Sequence, residues 1–371
     1  MDKFIPVNEP SLGKKEKDLL IECIETGWIS SEGPFVEKFE ESFSKKVNRK
    51  YGISCSSGTA ALDLAVSALK IGPGDEVIMP TFTIISCASS VIRAGAKPIL
   101  IDADPNTWNM NVNEIEASIT PKTVAIMAVH IYGLPVDMDP LLEIANRYNL
   151  FVIEDAAELI GAEYKKNPCG SFGHISTFSF YPNKQITTGE GGMVVTNDMQ
   201  IKERCKSLRN LCFQKERRFV HKELGWNYRM TNLQAALGLA QLEKLDLIVK
   251  NKIKNGEIYN QHLEDLQGIQ TPLKRTKYAE NIYWVYGILL DSRIGTAEEM
   301  MAKLRKLKIG TRPFFFPMHQ QPVFKEMGLF KNKSFPISEK LYKYGFYLPS
   351  GLKLKSENIE KVSEIVKRLI R

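Results

Sequence analysis

Between residues 50 and 200, short apolar runs alternate with stretches whose apolar positions recur every three to four residues. The runs at 76–79, 98–101, 123–129, 150–153, 175–180 and 193–196 are rich in Val, Ile, Met, Phe and Leu. Runs of this length and composition predict strands, largely buried on both faces. The stretches at 59–69, 85–94, 113–119 and 141–148 carry the helical period. Strands alternating with helices predict a mostly parallel sheet covered on both sides, an α/β architecture. In such sheets ligands bind beyond the C-terminal ends of the strands. The residues that follow each strand are therefore the ones to inspect.

Residues 232–250, NLQAALGLAQLEKLDLIVK, predict one long helix. Beyond them the pattern changes. A strand-like stretch at 283–290, a Pro/Phe-rich segment at 312–317 and a charged final helix predict a smaller α+β domain. The expected organisation is a large domain over 1–250 and a small one over 251–371. There is no internal repeat and no low-complexity linker.

Composition narrows the function classes. The chain has 371 residues, 43% hydrophobic and 25% charged, which excludes a disordered chain and a small disulfide scaffold. Its formal charge is +7, with no block of Lys and Arg. That suits an anionic small molecule and gives no reason to expect nucleic acid. Six cysteines are scattered without a CxxC pair, and five histidines stand isolated, so no metal site is expected. The opening MDKFIPVNEPSLGKKEKD lacks the apolar core of a signal peptide. No apolar run approaches the roughly 18 residues of a membrane span. These features predict a soluble cytoplasmic protein with reduced thiols and no membrane partner.

Three segments carry candidate chemistry. Lys184, in TFSFYPNKQITTGEGGMVVT, follows an apolar strand and precedes Gly189, Gly191 and Gly192. A lysine so placed can be desolvated, which lowers its pKa and frees the amine for Schiff-base chemistry. Asp155 ends the apolar LFVIED strand, 29 residues before Lys184. It stands where an α/β ligand site would hold a carboxylate, and it could equally cap the next helix. Ser56, Ser57, Gly58 and Thr59 immediately precede a helix, whose free N–H groups can bind phosphate. The chain has no GxxxxGK[ST] motif and no complete GxGxxG.

In this order, the helix start, the strand-end Asp and the lysine in FSFYPNKQITTGEGGM resemble the DegT/DnrJ/EryC1/StrS family. The resemblance extends through TGWISSEGPFVEKFE, GPGDEVIMPTFT, VHIYGLPVDMD, NYRMTNLQAALGLAQLE, RPFFFPMH and YLPSG, nearly the whole chain. It implies the fold type I, aspartate aminotransferase-like architecture and transamination with pyridoxal 5'-phosphate, passing through pyridoxamine 5'-phosphate. It implies L-glutamate as donor and a nucleotide-diphosphate ketosugar as acceptor, with GDP-4-keto-6-deoxymannose first. UDP- or dTDP-linked sugars, and amination at C3 rather than C4, stay open. A sugar dehydratase is disfavoured because related dehydratases carry histidine where Lys184 stands.

The resemblance also assigns roles. Lys184 becomes the lysine that bonds the cofactor and moves the proton. Asp155 becomes the partner of the ring nitrogen, and Glu158 a neighbour of the ring hydroxyl. Ser57, Gly58, Thr59 and Ser179 become phosphate ligands, joined by Asn227 from the other subunit of a homodimer with shared sites. Ser30, Ser31, His130, Phe316 and His319 become candidates for the substrate. One position departs from the pattern. Many relatives stack an aromatic ring on the cofactor where this chain has Ile84, with Phe82 the possible substitute.

Overall fold

A computed structural model describes residues 3–214 and 216–370. Strands β1 (Tyr51–Cys55), β2 (Glu76–Pro80), β3 (Lys97–Ile101), β4 (Thr123–Val129) and β5 (Phe151–Asp155) are followed by a small hairpin, β6 (Glu163–Tyr164) and β7 (Asn167–Pro168). Strands β8 (Ile175–Ser179) and β9 (Gly192–Thr196) complete the large sheet, whose order is β1-β9-β8-β5-β4-β2-β3. Only β9 runs against the others. The strands are almost wholly buried, which is why they read as unbroken apolar runs rather than alternations.

The six strands expected from the pattern are present to within two residues at either end. Strand β1 was not anticipated, because YGISC offers too few apolar positions to stand out. The expected helix at 113–119 is instead two 3-10 turns, Val112–Glu114 and Glu116–Ser118. Pro121 follows closely and disfavours helical backbone at the residue before it. The long helix at 232–250 is two helices, Asn232–Leu242 and Leu245–Leu263. They break where the side chains of Gln241 and Lys244 both turn to the buried Glu16. The second helix runs through residue 250.

Past that helix, β10 (Ile269–Gln270), β11 (Tyr286–Leu290), β12 (Arg312–Pro313) and β13 (Gly345–Leu348) form an antiparallel sheet in the order β10-β11-β13-β12. Residues near the N-terminus join this small layer. Ile5 pairs with Ile309, and the carbonyl of Val7 accepts from the N–H of Ser350. The small layer has its own core, built on Tyr259, Tyr286, Ile288, Phe346 and Val362.

Lys252, on the Leu245–Leu263 helix, is buried between the two layers. Its Nζ donates to the carbonyls of Trp284, at 2.9 Å, and Ser350, at 2.5 Å. Among the described residues all six cysteines are buried and unbridged, and no helix is long and apolar enough to cross a membrane.

Candidate active site

The parallel strands of the large sheet end on one side, and the segments that follow β1, β2, β4, β5 and β8 meet there. They line a cavity of about 400 Å³ with Ser57, Thr83, Asp155, Glu158, Ser179 and Lys184 on its large-sheet side. Trp284, Arg312, Phe315 and Tyr347 close it from the small layer. The volume lies within the range of small-molecule sites.

The Lys184 segment is a loop pinned at its base. The N–H of Phe180 donates to the carbonyl of Gly191, and that of Thr188 to the carbonyl of Phe180. The Lys184 side chain is 11% exposed, with Nζ 3.9 Å from Glu158 Oε1 and 3.7 Å from the centre of the Trp284 ring. Burial lowers the pKa of its amine, against the pull of Glu158, Asp155 and Cys87. Burial likewise raises the Glu158 carboxyl, although Lys184 and the N–H of Tyr132 favour its charge.

Asp155 is 3% exposed. Its oxygens accept from the N–H of Ala157 at 3.1 Å, the Cys87 thiol at 3.3 Å and the Thr177 hydroxyl at 3.4 Å. Burial raises its pKa above the usual carboxylate value, and no cation bonds to it among the described residues. The neighbouring Glu154 faces the opposite way and is fully paired. It accepts from His130 Nε2, the N–H groups of Gly170, Phe172 and Gly173, and the Ser176 hydroxyl. Burial opposes its charge, but these donors prevail and hold its carboxyl at about 2.

The helix Gly58–Ala68 begins at the cavity. Ser57 caps it, its Oγ accepting from the N–H of Ala60 at 3.1 Å. The N–H groups of Gly58 and Thr59 belong to the first turn, which has no intrahelical acceptors. A Cβ on Gly58 would fall 2.7 Å from Ser179 Cβ, so a side chain would fill this cradle. The side-chain oxygen of Asn183, also on the cavity wall, is buried without a partner.

These features fit pyridoxal phosphate. A buried carboxylate with no cation bonded to it suits a protonated ring nitrogen, and an unfilled helix start suits a phosphate. Ile84 lines the cavity and is 44% exposed, whereas Phe82 is buried against Tyr132, Phe314 and Phe315. Phe82 is therefore not placed to substitute for Ile84.

The remaining candidates separate. His130 borders the cavity, but its Nδ1 accepts from the N–H of Val136 and its Nε2 contacts Glu154. His319 is held between Thr81 and Glu339, and the Phe316 ring packs on Tyr342. Neither lines the cavity within this chain. Ser31 lines a second cavity, of about 230 Å³, with Arg209, Asn210 and Arg229. Asn227 pairs with Asn210 beside it, and the carbonyl of Ser30 accepts from the N–H of Asn232. Within one chain, Ser30, Ser31 and Asn227 do not join Lys184.

Sequence reading missed Trp284, Arg312, Tyr347, Thr83 and Cys87. Trp284 stood in an aromatic strand-like stretch that reads as core, and nothing in its spacing showed that it faces Lys184.

The model of the DegT/DnrJ/EryC1/StrS aminotransferase family matches residues 10–367. A GDP-perosamine synthase of Escherichia coli O157:H7 is 44% identical over 364 residues, covering 98% of each chain. One from Caulobacter vibrioides is 43% identical, covering 96% of each. Among solved structures, DesV of S. venezuelae in complex with a ketimine intermediate superposes with a TM-score of 0.89 at 30% identity, covering 96% of this chain and 94% of its own. By sequence and by fold, then, this chain belongs to the DegT/DnrJ/EryC1/StrS aminotransferase family and is a sugar aminotransferase that works with pyridoxal phosphate.

Proposed function

We propose that the chain transfers the amino group of L-glutamate to C4 of GDP-4-keto-6-deoxymannose, giving GDP-perosamine, and that it does so in the cytoplasm as a homodimer with shared sites. The observation that carries this reading is the likeness to GDP-perosamine synthases along nearly the whole chain. When bound, pyridoxal phosphate supplies a carbonyl that takes up the amino group and a ring that spreads the charge left by a broken C–H bond.

The chain supplies placement and protons. Ser57, Gly58, Thr59 and Ser179 would hold the cofactor's phosphate, and Asp155 would keep its ring nitrogen protonated. Lys184 would bond the cofactor at rest and, as a free amine, would move a proton between the substrate carbon and the cofactor carbon in each half of the reaction. Its lowered pKa supports this, since an amine that sheds its proton more readily than an ordinary lysine is better suited to act as a base. Glu158, 3.9 Å away, is the nearest counter-charge to that amine. Asn227 would complete the phosphate site of the neighbouring subunit.

The test is a visible absorbance titration of the full-length enzyme. Pyridoxal phosphate is added, then L-glutamate, then GDP-, UDP- and dTDP-linked 4-keto-6-deoxysugars separately. Glutamate should abolish the band of the lysine-bonded cofactor, and only the GDP-sugar should restore it. Restoration by a UDP- or dTDP-sugar instead would overturn the nucleotide. Amination at C3 in the isolated product would overturn the position.

A further inference from the structure

We propose that the indole face of Trp284 is the seat of the Lys184 ammonium whenever that amine is not bonded to the cofactor, holding its proton until it is returned to carbon. This rests on the reading of Lys184 given above and adds a residue to it.

The geometry points to a seat rather than to packing alone. The Lys184 Nζ stands 3.7 Å above the ring centre, well inside the roughly 6 Å reach of a cation–π contact. Its contact with Glu158 is longer than a hydrogen bond, and among the described residues it forms no hydrogen bond at all. A buried ammonium without hydrogen bonds is costly, so the ring is the nearest group that offsets that cost.

The ring and the backbone of Trp284 are each held by one hydrogen bond. Its Nε1–H donates to the carbonyl of Asn183, the residue preceding Lys184, at 2.8 Å. The backbone carbonyl of Trp284 accepts from the buried Nζ of Lys252 at 2.9 Å. The seat is therefore tied through its ring to the Lys184 segment and through its backbone to the Leu245–Leu263 helix.

Burial alone drives the amine toward its neutral form. An amine that must hold a proton between steps needs a compensating preference for the charged form, which an aromatic face provides without forming a bond that must later be broken. Glu158, Asp155 and Cys87 face the amine electrostatically. Arg312, Tyr181, Tyr347 and Glu190 stand on the cavity wall. All seven are unchanged by substitution of the ring.

The experiment is competitive labelling of the full-length enzyme in its pyridoxamine-phosphate form, in which the lysine amine is free. Acetic anhydride acylates only neutral amines, and mass spectrometry of the Lys184 peptide across pH gives the midpoint of that amine. Trp284→Leu should lower the midpoint by about half a unit to one and a half units. Trp284→Phe, which keeps a weaker face, should fall between the leucine variant and wild type. An unmoved midpoint in Trp284→Leu, or a phenylalanine variant as displaced as the leucine one, overturns the proposal. If Trp284→Leu does not fold, Trp284→Phe against wild type decides it, because a midpoint equal to wild type again overturns it. Labelling the wild type in its pyridoxal-phosphate form separates the two readings. Protection of Lys184 there supports its bonding to the cofactor, and free labelling would overturn that role whatever Trp284 does.

Discussion

Lys184 and Glu158 face each other 3.9 Å apart, and burial works against the charge of both. Each stabilises the ionised form of the other, so the pair titrates as a unit. Replacing Glu158 by Gln removes the carboxylate and leaves desolvation unopposed on that side. The midpoint of the Lys184 amine should then fall by about one unit or more. Competitive labelling across pH checks this, and a midpoint that stays put would show that the two groups do not interact.

Ile84 lines the cavity at a position where many relatives have an aromatic ring. Ile84→Tyr should tighten pyridoxal phosphate binding by about twofold to tenfold, the worth of one well-placed aromatic contact. Equilibrium titration followed by tryptophan fluorescence measures it. Weaker binding would mean that the cavity wall at Ile84 does not face the ring.

Asn227 lies beside the second cavity and away from Lys184 of its own chain. If sites are shared, Lys184→Ala and Asn227→Ala enzymes should each be impaired, and refolding them together should restore part of the activity. One mixed dimer then carries one intact site and one doubly altered one. No recovery on mixing, with dimers demonstrated by sedimentation, would place Asn227 outside the catalytic site.

Glu154 is held at about 2 by five donors, against an ordinary value of 4.5. A carboxyl depressed in the fold stabilises it above the ordinary value, and the contribution is lost as pH falls from 4.5 toward 2. The size of the shift corresponds to about 3 kcal/mol. Glu154→Gln should lose about that much stability at neutral pH and show a flatter melting profile on acidification. Thermal melts of both proteins across the acid range decide it.

Lys252 is buried with carbonyl partners only, and burial pushes its amine down to about 7 from 10.5. Between those values the folded chain holds fewer protons than the unfolded one, so wild-type stability rises with pH through that window. Lys252→Met lacks this contribution. The stability advantage of wild type over the variant should therefore widen from about pH 6 to about pH 9. Denaturant unfolding at both pH values measures the gap, and a constant gap would mean that the amine keeps its proton in the fold.

The large sheet was legible because its strands are buried on both faces, so they stand out as apolar runs. Asp155, Lys184 and the Ser57–Thr59 helix start were legible because a parallel sheet fixes where its ligand lies. The small layer was not. Arg312 and Tyr347 come from strands of an antiparallel sheet, and Trp284 from the segment that leads into its strand β11, and their placement over the cavity depends on tertiary contacts such as that of Lys252. His130 borders the cavity, as a residue that follows β4 should. Its position after β4 suggested a ligand contact, but both of its nitrogens are engaged within the scaffold. Spacing alone could not reveal that commitment.

Apart from the Trp284 seat, the cavity draws its proton-handling groups from one layer and its cover from the other. Lys184, Asp155 and Glu158 stand at or after the ends of strands in the central sheet, while Arg312 and Tyr347 belong to the small sheet and Phe315 follows its strand β12. Changes in the cover can accumulate without displacing the groups that move protons. A lineage built on this plan can exchange one acceptor for another while inheriting its reaction intact, and laboratory evolution toward a new acceptor would begin with residues 312–315 and 347.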